Sequence, residues 1–459
     1  PAVKPDRTGT TIRVGLTRLG KPSSITVRGT DSFDIIDAAG KNPLANPGSY
    51  PLTIHANGRR IEITAAGDAP PVDPGGVVGD FAAPLRLVPH SDRAEFAVSV
   101  GKGAPRTYSG VLEIGSDGSL ALVDELPLED YVRGVVPIEV PKMFKPEAQK
   151  ALVVAIRTYA LKTARGTRHK GYDLCDSTHC QGFCGTSKAA PWVDEIVGAT
   201  RGQVLTWNGE PITATYSTDC GGMTETNEGA GFGSKPVPYL RSVADNPGGP
   251  EALKLIVVEP RPAPPVESDS DRPTPSDPSD EPSCGGLALP GRVACPDPDS
   301  PTPGSRFQVT NTEHPAPNTR SFPVTADPDY CAGCPVHSWS RKFKHSELEK
   351  ALKVGKLRSL DFSEYSDSGR VRTVTAMGDQ GVKRMAGYQF RALLGEDAIK
   401  STRMVLSITP EGDYLIEGRG YGHGVGLCAF GANGLAKLGK TYKEILNHYY
   451  SGAEITTNH

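Results

Sequence analysis

The sequence predicts an α+β protein with a strand-rich N-terminal part, a core of one central buried helix with antiparallel strands, and a disordered insertion. Short runs that alternate apolar and polar residues recur before residue 124, as in half-buried strands. Helical spacing is kept by Ala148, Leu152, Ile156, Tyr159 and Ala160, and Ala151–Ile156 is apolar on nearly every side. With 459 residues, the chain can form two or three domains.

Alternating apolar and polar residues, together with turn-forming residues, predict the positions of the remaining helices and strands. Hairpin signals occur at Ser116-Asp117-Gly118 and at Asn208-Gly209. Residues 66–82, rich in Gly, Pro and Ala, are predicted to be a loop. Helices are predicted over 346–354 and 386–394. Strands are predicted over residues 11–16, 24–27, 60–64, 85–88, 94–98, 111–114, 120–123, 203–207, 212–216, 371–377, 403–408 and 413–417.

The chain is organised around residues 126–165, which read LPLEDYVRGVVPIEVPKMFKPEAQKALVVAIRTYALKTAR. Pro137 and Pro141 bracket Glu139 and push the residues before them toward extended geometry, so a held loop is predicted here. Lys145-Pro146-Glu147 then predicts a helix start, with Pro at the first helical position and an acid in the first turn.

Glu139 is the candidate catalytic residue. Its neighbours are Val, Ile and Pro, which remove hydration from the carboxyl group and should raise its pKa. A general acid that cleaves an ether-like bond near neutral pH needs that property. The alternative is a structural glutamate that caps the helix or pairs with Arg133 or Arg157.

The same residues resemble the SpoIID/LytB family, whose pattern is close to LPLEdYlxGVVxxEmP followed by an EAlKAqAVAARTYAl helix. The C-terminal stretch GRGYGHGVGLCAFGANGLA resembles the family's GxGHGVGmsQyGAxgmA, although Ala429 replaces the Gln and Leu427-Cys428 the Met-Ser. The resemblance implies a peptidoglycan lytic transglycosylase that cleaves between MurNAc and GlcNAc with Glu139 as acid and base. The alternative is a non-catalytic, LytB-like module that binds glycan strands and enhances a cell-wall amidase.

Four further residues are candidates for substrate binding. Arg157 could hold a sugar or orient Glu139, or it could form a structural salt bridge. His423 lies in a Gly-rich loop, which could let the backbone approach a glycan or simply pack as a crowded turn. Ser217 and Thr218 could contribute hydroxyl contacts. A second carboxylate, needed for hydrolysis, could come from Asp219 or Glu225.

The chain contains nine cysteines, and an odd number cannot all form disulfides. His and Cys residues cluster between 169 and 184, in a composition that suits tetrahedral zinc. As in the family, the preferred structural zinc ligands are His169, Cys175, His179 and Cys180. The alternative is a Cys175–Cys180 or Cys180–Cys184 disulfide. Cys184 could pair with Cys220, and Cys284 with Cys295. Cys331 and Cys334, a CxxC motif, could form a disulfide or a ligand pair.

Composition limits the function classes. The chain is 37% hydrophobic, its net charge is −3, and it has no apolar run that approaches the ~20 residues of a membrane span, so neither nucleic acid nor a transmembrane segment is expected. A chain that begins Pro-Ala-Val-Lys suggests a processed, exported or cell-envelope protein. The predicted divisions are 1–124 (strand-rich), 125–258 (first part of the core), 259–330 (a Pro/Ser/Asp-rich insertion) and 331–459 (second part of the core).

Overall fold

The protein is represented by a computed structural model, which describes residues 10–41, 44–45, 51–65, 77–92, 94–166, 168–248, 256–257, 320–322 and 328–457. The chain forms two compact units. Unit 1 comprises residues 1–216, 238–240 and 432–459, and unit 2 comprises residues 217–237 and 241–431. The predicted boundary at 124 falls inside unit 1 and the one at 331 inside unit 2. The predicted divisions of the chain stay a prediction.

The described residues contain both helices and many short strands, which confirms the α+β class. The helices are α1 Leu128–Glu139, α2 Pro146–Ala164, α3 Pro191–Ala199, α4 His345–Leu352, α5 Gly387–Leu394, α6 Ala429–Lys437 and α7 Tyr442–Tyr449. The strands are β1 Thr11–Gly15, β2 Ser24–Gly29, β3 Phe33–Ile36, β4 Leu44–Ala45, β5 Leu52–Asn57, β6 Arg60–Ala65, β7 Val77–Ala82, β8 Leu85–Pro89, β9 Phe96–Ser99, β10 Arg106–Tyr108, β11 Val111–Ser116, β12 Leu120–Pro127, β13 Leu174–Cys175, β14 Gln203–Trp207, β15 Glu210–Pro211, β16 Tyr216–Ser217, β17 Ile256–Val257, β18 Arg320–Ser321, β19 Ser338–Phe343, β20 Leu357–Tyr365, β21 Val371–Gly378, β22 Gly381–Ala386, β23 Met404–Ile408, β24 Tyr414–Arg419, β25 Leu427–Cys428 and β26 Glu454–Thr457.

Unit 1 is built on two mainly antiparallel sheets. One has the order β13-β1-β12-β11-β8-β3-β4, and the other has the order β10-β9-β2-β5-β6-β7. Their strands alternate buried and partly buried positions, as in β8, because one face of each strand packs into the core. The predicted turn at Ser116–Gly118 joins β11 to β12 in an antiparallel hairpin. Strand β13 is exceptional, since it pairs parallel to β1 and places Cys175 opposite Gly15.

The central helix, α2, is confirmed. It begins at Pro146, and its buried residues include the apolar run from Ala151 to Ile156. The predicted loop at 136–141 is wrong, because α1 continues through Pro137 and ends at Glu139. Pro137 lies in the last turn, so its missing N–H removes one hydrogen bond close to the end of the helix. Val140 then leaves the helix with an extended backbone, and Pro141 follows.

The Asn208-Gly209 hairpin is confirmed, with φ of 51° and 79° at the two turn residues and Trp207 opposite Glu210. The predicted strand 212–216 is wrong apart from Tyr216, because the amides of Ala214 and Thr215 bond locally to carbonyls two residues earlier. The predicted loop 66–82 includes strand β7; residues 66–76 lie outside the described part of the chain.

Unit 2 contains two three-stranded antiparallel sheets, ordered β19-β24-β23 and β20-β21-β22. Helices α4 and α5 lie close to their predicted positions and pack Leu348, Leu352 and Phe390 into a core that also contains Trp339 and Ile416. Most of the predicted insertion, 259–319 and 323–327, lies outside the described residues, as do Cys284 and Cys295. Among the described helices, none is long and apolar enough to cross a membrane.

Candidate functional site

Glu139 lies at the C-terminal end of α1 and is partly buried. Its Oε1 accepts a hydrogen bond from the backbone N–H of Gly182 at 2.7 Å. Neither arginine of the structural alternative pairs with it, since Arg133 bonds to Asp130 and Asp194, and Arg157 bonds to Glu129. Within the described part of the chain, the other oxygen, Oε2, has no hydrogen-bond partner. One oxygen is therefore held by the backbone, and the other is available.

Burial raises the pKa of Glu139 from 4.5 to about 7, while the Gly182 N–H acts in the opposite direction by stabilising the carboxylate. Burial is the physical cause, because it removes water from the charged form of the carboxyl group. A carboxyl group with this pKa carries its proton in a large fraction of molecules at neutral pH, which is the state that a general acid requires.

Gly182 reaches Glu139 because residues 181–184 dock on α1. A Cβ at Gly182 would lie 2.5 Å from Ile138 Cγ2 and 3.0 Å from Glu139 Oε1, so only glycine fits without movement. The ring of Phe183 stacks on Tyr131 with a 5.3 Å centroid distance. The Cys184 amide donates to the carbonyl of Gly134 at 3.1 Å. This segment therefore fixes the position of the amide that holds the acid.

A hydrogen-bonded row of polar side chains lies in the same unit and was missed by the sequence analysis. The Tyr131 hydroxyl donates to Gln181 Oε1, and Gln181 Nε2 donates to the Tyr216 hydroxyl, both at 3.0 Å. Burial raises the pKa of both tyrosines well above the usual value, and the charge of Glu139 adds to the effect. Tyr131 in the LPLEDY motif was the signal that could have identified it. Gln181 and Tyr216 carried no comparable signal.

The predicted ligand set comes together in unit 1. The donor atoms of His169, Cys175, His179 and Cys180 all lie within 4.8 Å of one another. His169 Nε2 is 3.1 Å from Cys180 Sγ, and His179 Nδ1 is 3.6 Å from the Sγ atoms of both Cys175 and Cys180. Both cysteines are free thiols, so the alternative disulfides are not formed. The hydrogen bond from Cys180 lowers the pKa of the Cys175 thiol. These four residues could hold a metal ion.

The loop that carries these residues is anchored by its neighbours in sequence. Cys175 belongs to β13, and the next residue, Asp176, is almost fully buried. Its Oδ1 accepts hydrogen bonds from the Thr17 hydroxyl at 2.7 Å and from the Arg18 amide at 3.0 Å. Because Gly182 follows Cys180 by two residues, the Cys/His cluster and the amide that binds Glu139 lie on one short segment.

Arg157 is fully buried, and its Nε and Nη2 donate to the two oxygens of Glu129 at 2.7 and 2.9 Å. Its Nη1 also donates to the Gln203 carbonyl at 3.2 Å. These contacts join α2 to the start of α1 and to β14. They are the contacts of the structural salt bridge that was the alternative interpretation.

The other candidates for substrate binding belong to unit 2. Ser217 is buried, and its hydroxyl has no hydrogen-bond partner among the described residues. The Thr218 carbonyl accepts from the Phe430 amide at 3.1 Å. His423 Nδ1 accepts from the Val425 amide at 3.0 Å, and its ring lies 5.0 Å from that of Phe232. Their contact with a glycan stays a prediction.

The two acids considered for a second catalytic carboxylate also lie in unit 2, and both are almost fully buried. Asp219 bonds to the Gly221 amide and to His337 Nδ1. Glu225 Oε2 accepts hydrogen bonds from the hydroxyls of Ser366 and Ser368. Both carboxylates therefore have structural partners inside their own unit.

The cysteine pairing of Cys184 with Cys220 is wrong. Both are free thiols, and the Cys184 thiol donates to the Gly134 carbonyl at 3.2 Å instead. Cys331 and Cys334 are also free, so the CxxC motif forms no local disulfide.

A cavity of about 420 Å³ opens in unit 1. Its lining residues come from β14, α7, β26 and the turn before it: Gln203, Leu205, Tyr442, Lys443, Leu446, Asn447, Ala453, Ile455 and Thr457. Glu139 is not among them.

The fold and this site define a class of α+β protein in which a partly buried glutamate is held by a loop that carries a Cys/His cluster. The model of the stage II sporulation protein family, SpoIID, matches residues 116–207, which contain Glu139, α2 and the cluster. A domain of unknown function, DUF8618, matches residues 332–426.

Full-length relatives extend the match. Stage II sporulation protein D of Bacillus subtilis (strain 168) is 25% identical over 353 residues, which cover 73% of this chain and 76% of the relative. The amidase enhancer of the same organism is 28% identical over 341 residues, which cover 71% of this chain but only 40% of the enhancer. An uncharacterized protein of Brachyspira hyodysenteriae is 26% identical over 354 residues, or 76% and 72% of the two chains. These matches support the assignment of the chain to the SpoIID/LytB family.

Proposed function

We propose that this protein is a peptidoglycan lytic transglycosylase and that Glu139 is its general acid and base. We further propose that the protein is exported or resides in the cell envelope. The observation that carries the proposal is the state of Glu139: its pKa is raised to about 7, one oxygen is fixed by Gly182, and the other is available. A stage II sporulation protein D and an amidase enhancer among its relatives support a role at the cell wall.

In the proposed reaction, protonated Glu139 donates its proton to the oxygen that links MurNAc to GlcNAc, and the bond from MurNAc C1 to that oxygen breaks. The resulting carboxylate takes the proton of the MurNAc C6 hydroxyl, whose oxygen bonds to C1. An anhydro sugar forms, GlcNAc leaves with a free hydroxyl, and Glu139 is protonated again. No water is consumed, so a single carboxyl group is sufficient.

Zinc is the metal we propose for His169, Cys175, His179 and Cys180. Typical Zn–N and Zn–S bonds place N and S about 3.6 Å apart in a tetrahedral site, close to the separations found here. With four protein ligands the site is closed, so the ion would be structural. Its proposed effect is to hold the segment that carries Gly182, and hence the N–H that binds Glu139.

In this proposal Arg157 acts through its salt bridge with Glu129, which holds the start of α1 in place. Ser217, Thr218 and His423 stay proposed contacts for glycan.

Digestion of purified glycan strands tests the reaction. Wild-type protein should release fragments that end in an anhydro sugar, each lighter by one water than the corresponding hydrolysis product in mass spectrometry. Glu139→Gln should release none, while Glu195→Gln, which changes an exposed glutamate on α3, should match wild type. Reducing-end products from the wild type would contradict a transglycosylase mechanism and indicate hydrolysis.

The second candidate function is a glycan-binding module that enhances a cell-wall amidase. The specific observation in its favour is the match to an amidase enhancer over 71% of this chain. It predicts that wild-type protein yields no glycan fragments, and that Glu139→Gln binds glycan and stimulates an amidase as well as wild type does. The proposed transglycosylase fails if both results are obtained.

A further inference from the structure

Three cysteines and one aspartate from distant parts of the sequence meet inside unit 2. The donor atoms of Asp219, Cys220, Cys331 and Cys428 all lie within 4.8 Å of one another, and all four residues are fully buried. Cys220 lies 111 residues before Cys331 and 208 before Cys428. This thiol cluster is separate from the Cys/His cluster, which belongs to unit 1.

The spacing of the thiol cluster is that of ligands around a common ion. Cys220 Sγ and Cys331 Sγ are 3.8 Å apart, and both are free thiols. Two thiolates of a tetrahedral zinc site, each about 2.3 Å from the metal, are separated by about 3.8 Å. Soft thiolate donors in this arrangement favour zinc among the common biological cations.

Hydrogen bonds orient two members of the thiol cluster, Cys428 and Asp219, while the Cys220 thiol donates to Asp245 Oδ2 at 3.2 Å. Cys428 Sγ accepts from the backbone amides of Cys220 at 3.2 Å and Gly431 at 3.3 Å. The carboxylate of Asp219 is oriented by the Gly221 amide at 2.6 Å and by His337 Nδ1 at 3.0 Å. Such partners orient metal ligands and tune their basicity.

A buried cation beside the thiol cluster points to negative charge there. Arg370 is almost fully buried, and its Nη2 donates to the Cys220 carbonyl at 2.7 Å. Its Nε and Nη1 have no hydrogen-bond partner among the described residues. A buried guanidinium requires compensating charge. The Glu225 carboxylate supplies part of this charge, and three thiolates and a carboxylate around Zn²⁺ would add a net charge of about −2.

We propose that Asp219, Cys220, Cys331 and Cys428 form a second, structural zinc site in unit 2. All four positions come from the protein, which leaves no open position for substrate. The ion would cross-link three chain segments that are remote in sequence, and it would reduce the freedom of the unfolded chain across long loops. The resemblance does not imply this site, since Cys428 stands where the family pattern has Ser.

Zinc stoichiometry tests the proposal on the full chain, purified under reducing conditions and dialysed, by elemental mass spectrometry. We expect about two zinc ions per wild-type chain and about one in Cys428→Ser or in His169→Ala, since each variant lacks one site. Cys334→Ser removes a buried thiol outside the thiol cluster and should retain about two ions. Retention of both ions by Cys428→Ser would overturn the proposal.

Alkylation before and after zinc removal, read out as intact mass, distinguishes the remaining outcomes; the sample without zinc is alkylated under denaturing conditions. If zinc is bound, Cys220, Cys331 and Cys428 become alkylated only after the metal is removed. One zinc ion in the wild type together with a blocked pair among these cysteines would identify a disulfide and contradict the proposal. One zinc ion with three thiols that react before metal removal would contradict it equally.

Cobalt substitution keeps the proposal testable if Cys428→Ser does not fold. The near-ultraviolet charge-transfer absorption of Co²⁺ grows with the number of thiolate ligands. His169→Ala should lose about two fifths of the wild-type intensity, because three of the five thiolates belong to the site in unit 2. Loss of the whole absorption in His169→Ala would exclude a second site. None of these readouts depends on glycan cleavage.

Discussion

The backbone N–H of Gly182 donates a hydrogen bond to Glu139 Oε1 at 2.7 Å, and so ties the last residue of α1 to the loop that carries the Cys/His cluster. This bond opposes the effect of burial on the carboxyl group, whose pKa nevertheless rises to about 7. The acid is therefore both positioned and kept partly protonated at neutral pH.

The pH dependence of glycan cleavage should report this pKa. Because the proposed acid must be protonated, kcat/KM is expected to fall as pH rises above about 7. The rate of anhydro-sugar formation should be measured from pH 5 to 9 by mass spectrometry. Glu139→Gln should lose ~10²–10⁴-fold in rate at the optimum, the usual contribution of a general acid. A rate that is unchanged between pH 6 and 9 would exclude a titrating Glu139 as the donor.

The stability of the folded protein should depend on the protonation of Glu139. In the unfolded chain Glu139 ionises near 4.5, whereas in the folded protein it keeps its proton up to about 7. Between these values the native state binds more protons, so Glu139 makes the protein less stable as pH rises. The difference in Tm, Glu139→Gln minus wild type, is expected to increase from pH 5 to pH 8. Glu195→Gln should show no such trend, and a constant difference for Glu139→Gln would refute the assigned pKa.

Gly182→Ala should weaken both stability and cleavage. The added Cβ would lie 2.5 Å from Ile138 Cγ2, so the loop or the end of α1 must shift, at ~1–3 kcal/mol. The N–H to Glu139 bond would be displaced with it. Gly198→Ala in α3 is the control, since its Cβ would meet nothing within 4 Å and helix propensity favours alanine. Equal stability and activity of the two variants would show that the close fit at Gly182 is unimportant.

Arg157→Ala should be one of the most damaging substitutions. It would leave Glu129 without the guanidinium that binds both its oxygens, and the loss of one partner of a buried pair costs ~3–5 kcal/mol. Urea unfolding measures the change in the free energy of unfolding. The exposed pair of Arg165 with Glu210 offers a control, and Arg165→Ala should change stability by less than ~0.5 kcal/mol. An Arg157→Ala variant that keeps its stability but fails to bind glycan would instead support the substrate role.

The Cys/His cluster should affect activity through the position of Gly182. His169→Ala is expected to lower the zinc content and to reduce cleavage, with KM less affected than kcat, because the acid rather than the binding surface is disturbed. Cys184→Ser is the matched control: the hydroxyl can still donate to the Gly134 carbonyl, and no ligand is lost. An unchanged kcat in a zinc-depleted His169→Ala protein would show that the metal does not influence the function of Glu139.

Local chemistry in the sequence was sufficient for several elements. Pro146 at the first turn identified the start of α2, and Asn208-Gly209 identified a tight hairpin, because both effects act within a few residues. The Cys/His cluster could be predicted from the sequence for the same reason, since its members lie close together in the chain. The apolar residues beside Glu139 predicted a raised pKa, and burial of the carboxyl group in the folded chain raises that pKa to about 7.

The error at Pro137 has a different origin. Proline was expected to end the helix, but its missing N–H removes a single bond in the last turn, and the buried residues Val135 and Val136 hold α1 against its neighbours. Packing outweighed local propensity, and the result was to place Glu139 on a helix end rather than on a loop.

The sequence by itself predicted the α+β class, the resemblance to SpoIID/LytB proteins, Glu139 as the candidate acid and the four Cys/His residues that meet in unit 1. Only the tertiary structure decided that Arg157 binds Glu129, that Gly182 holds Glu139, and that Cys220, Cys331 and Cys428 meet. The physical reason is range: local rules act over a turn or two of chain, whereas these contacts join residues 28 to 208 positions apart. Such contacts form only when burial of the whole core compensates for the entropy of closing the intervening loops.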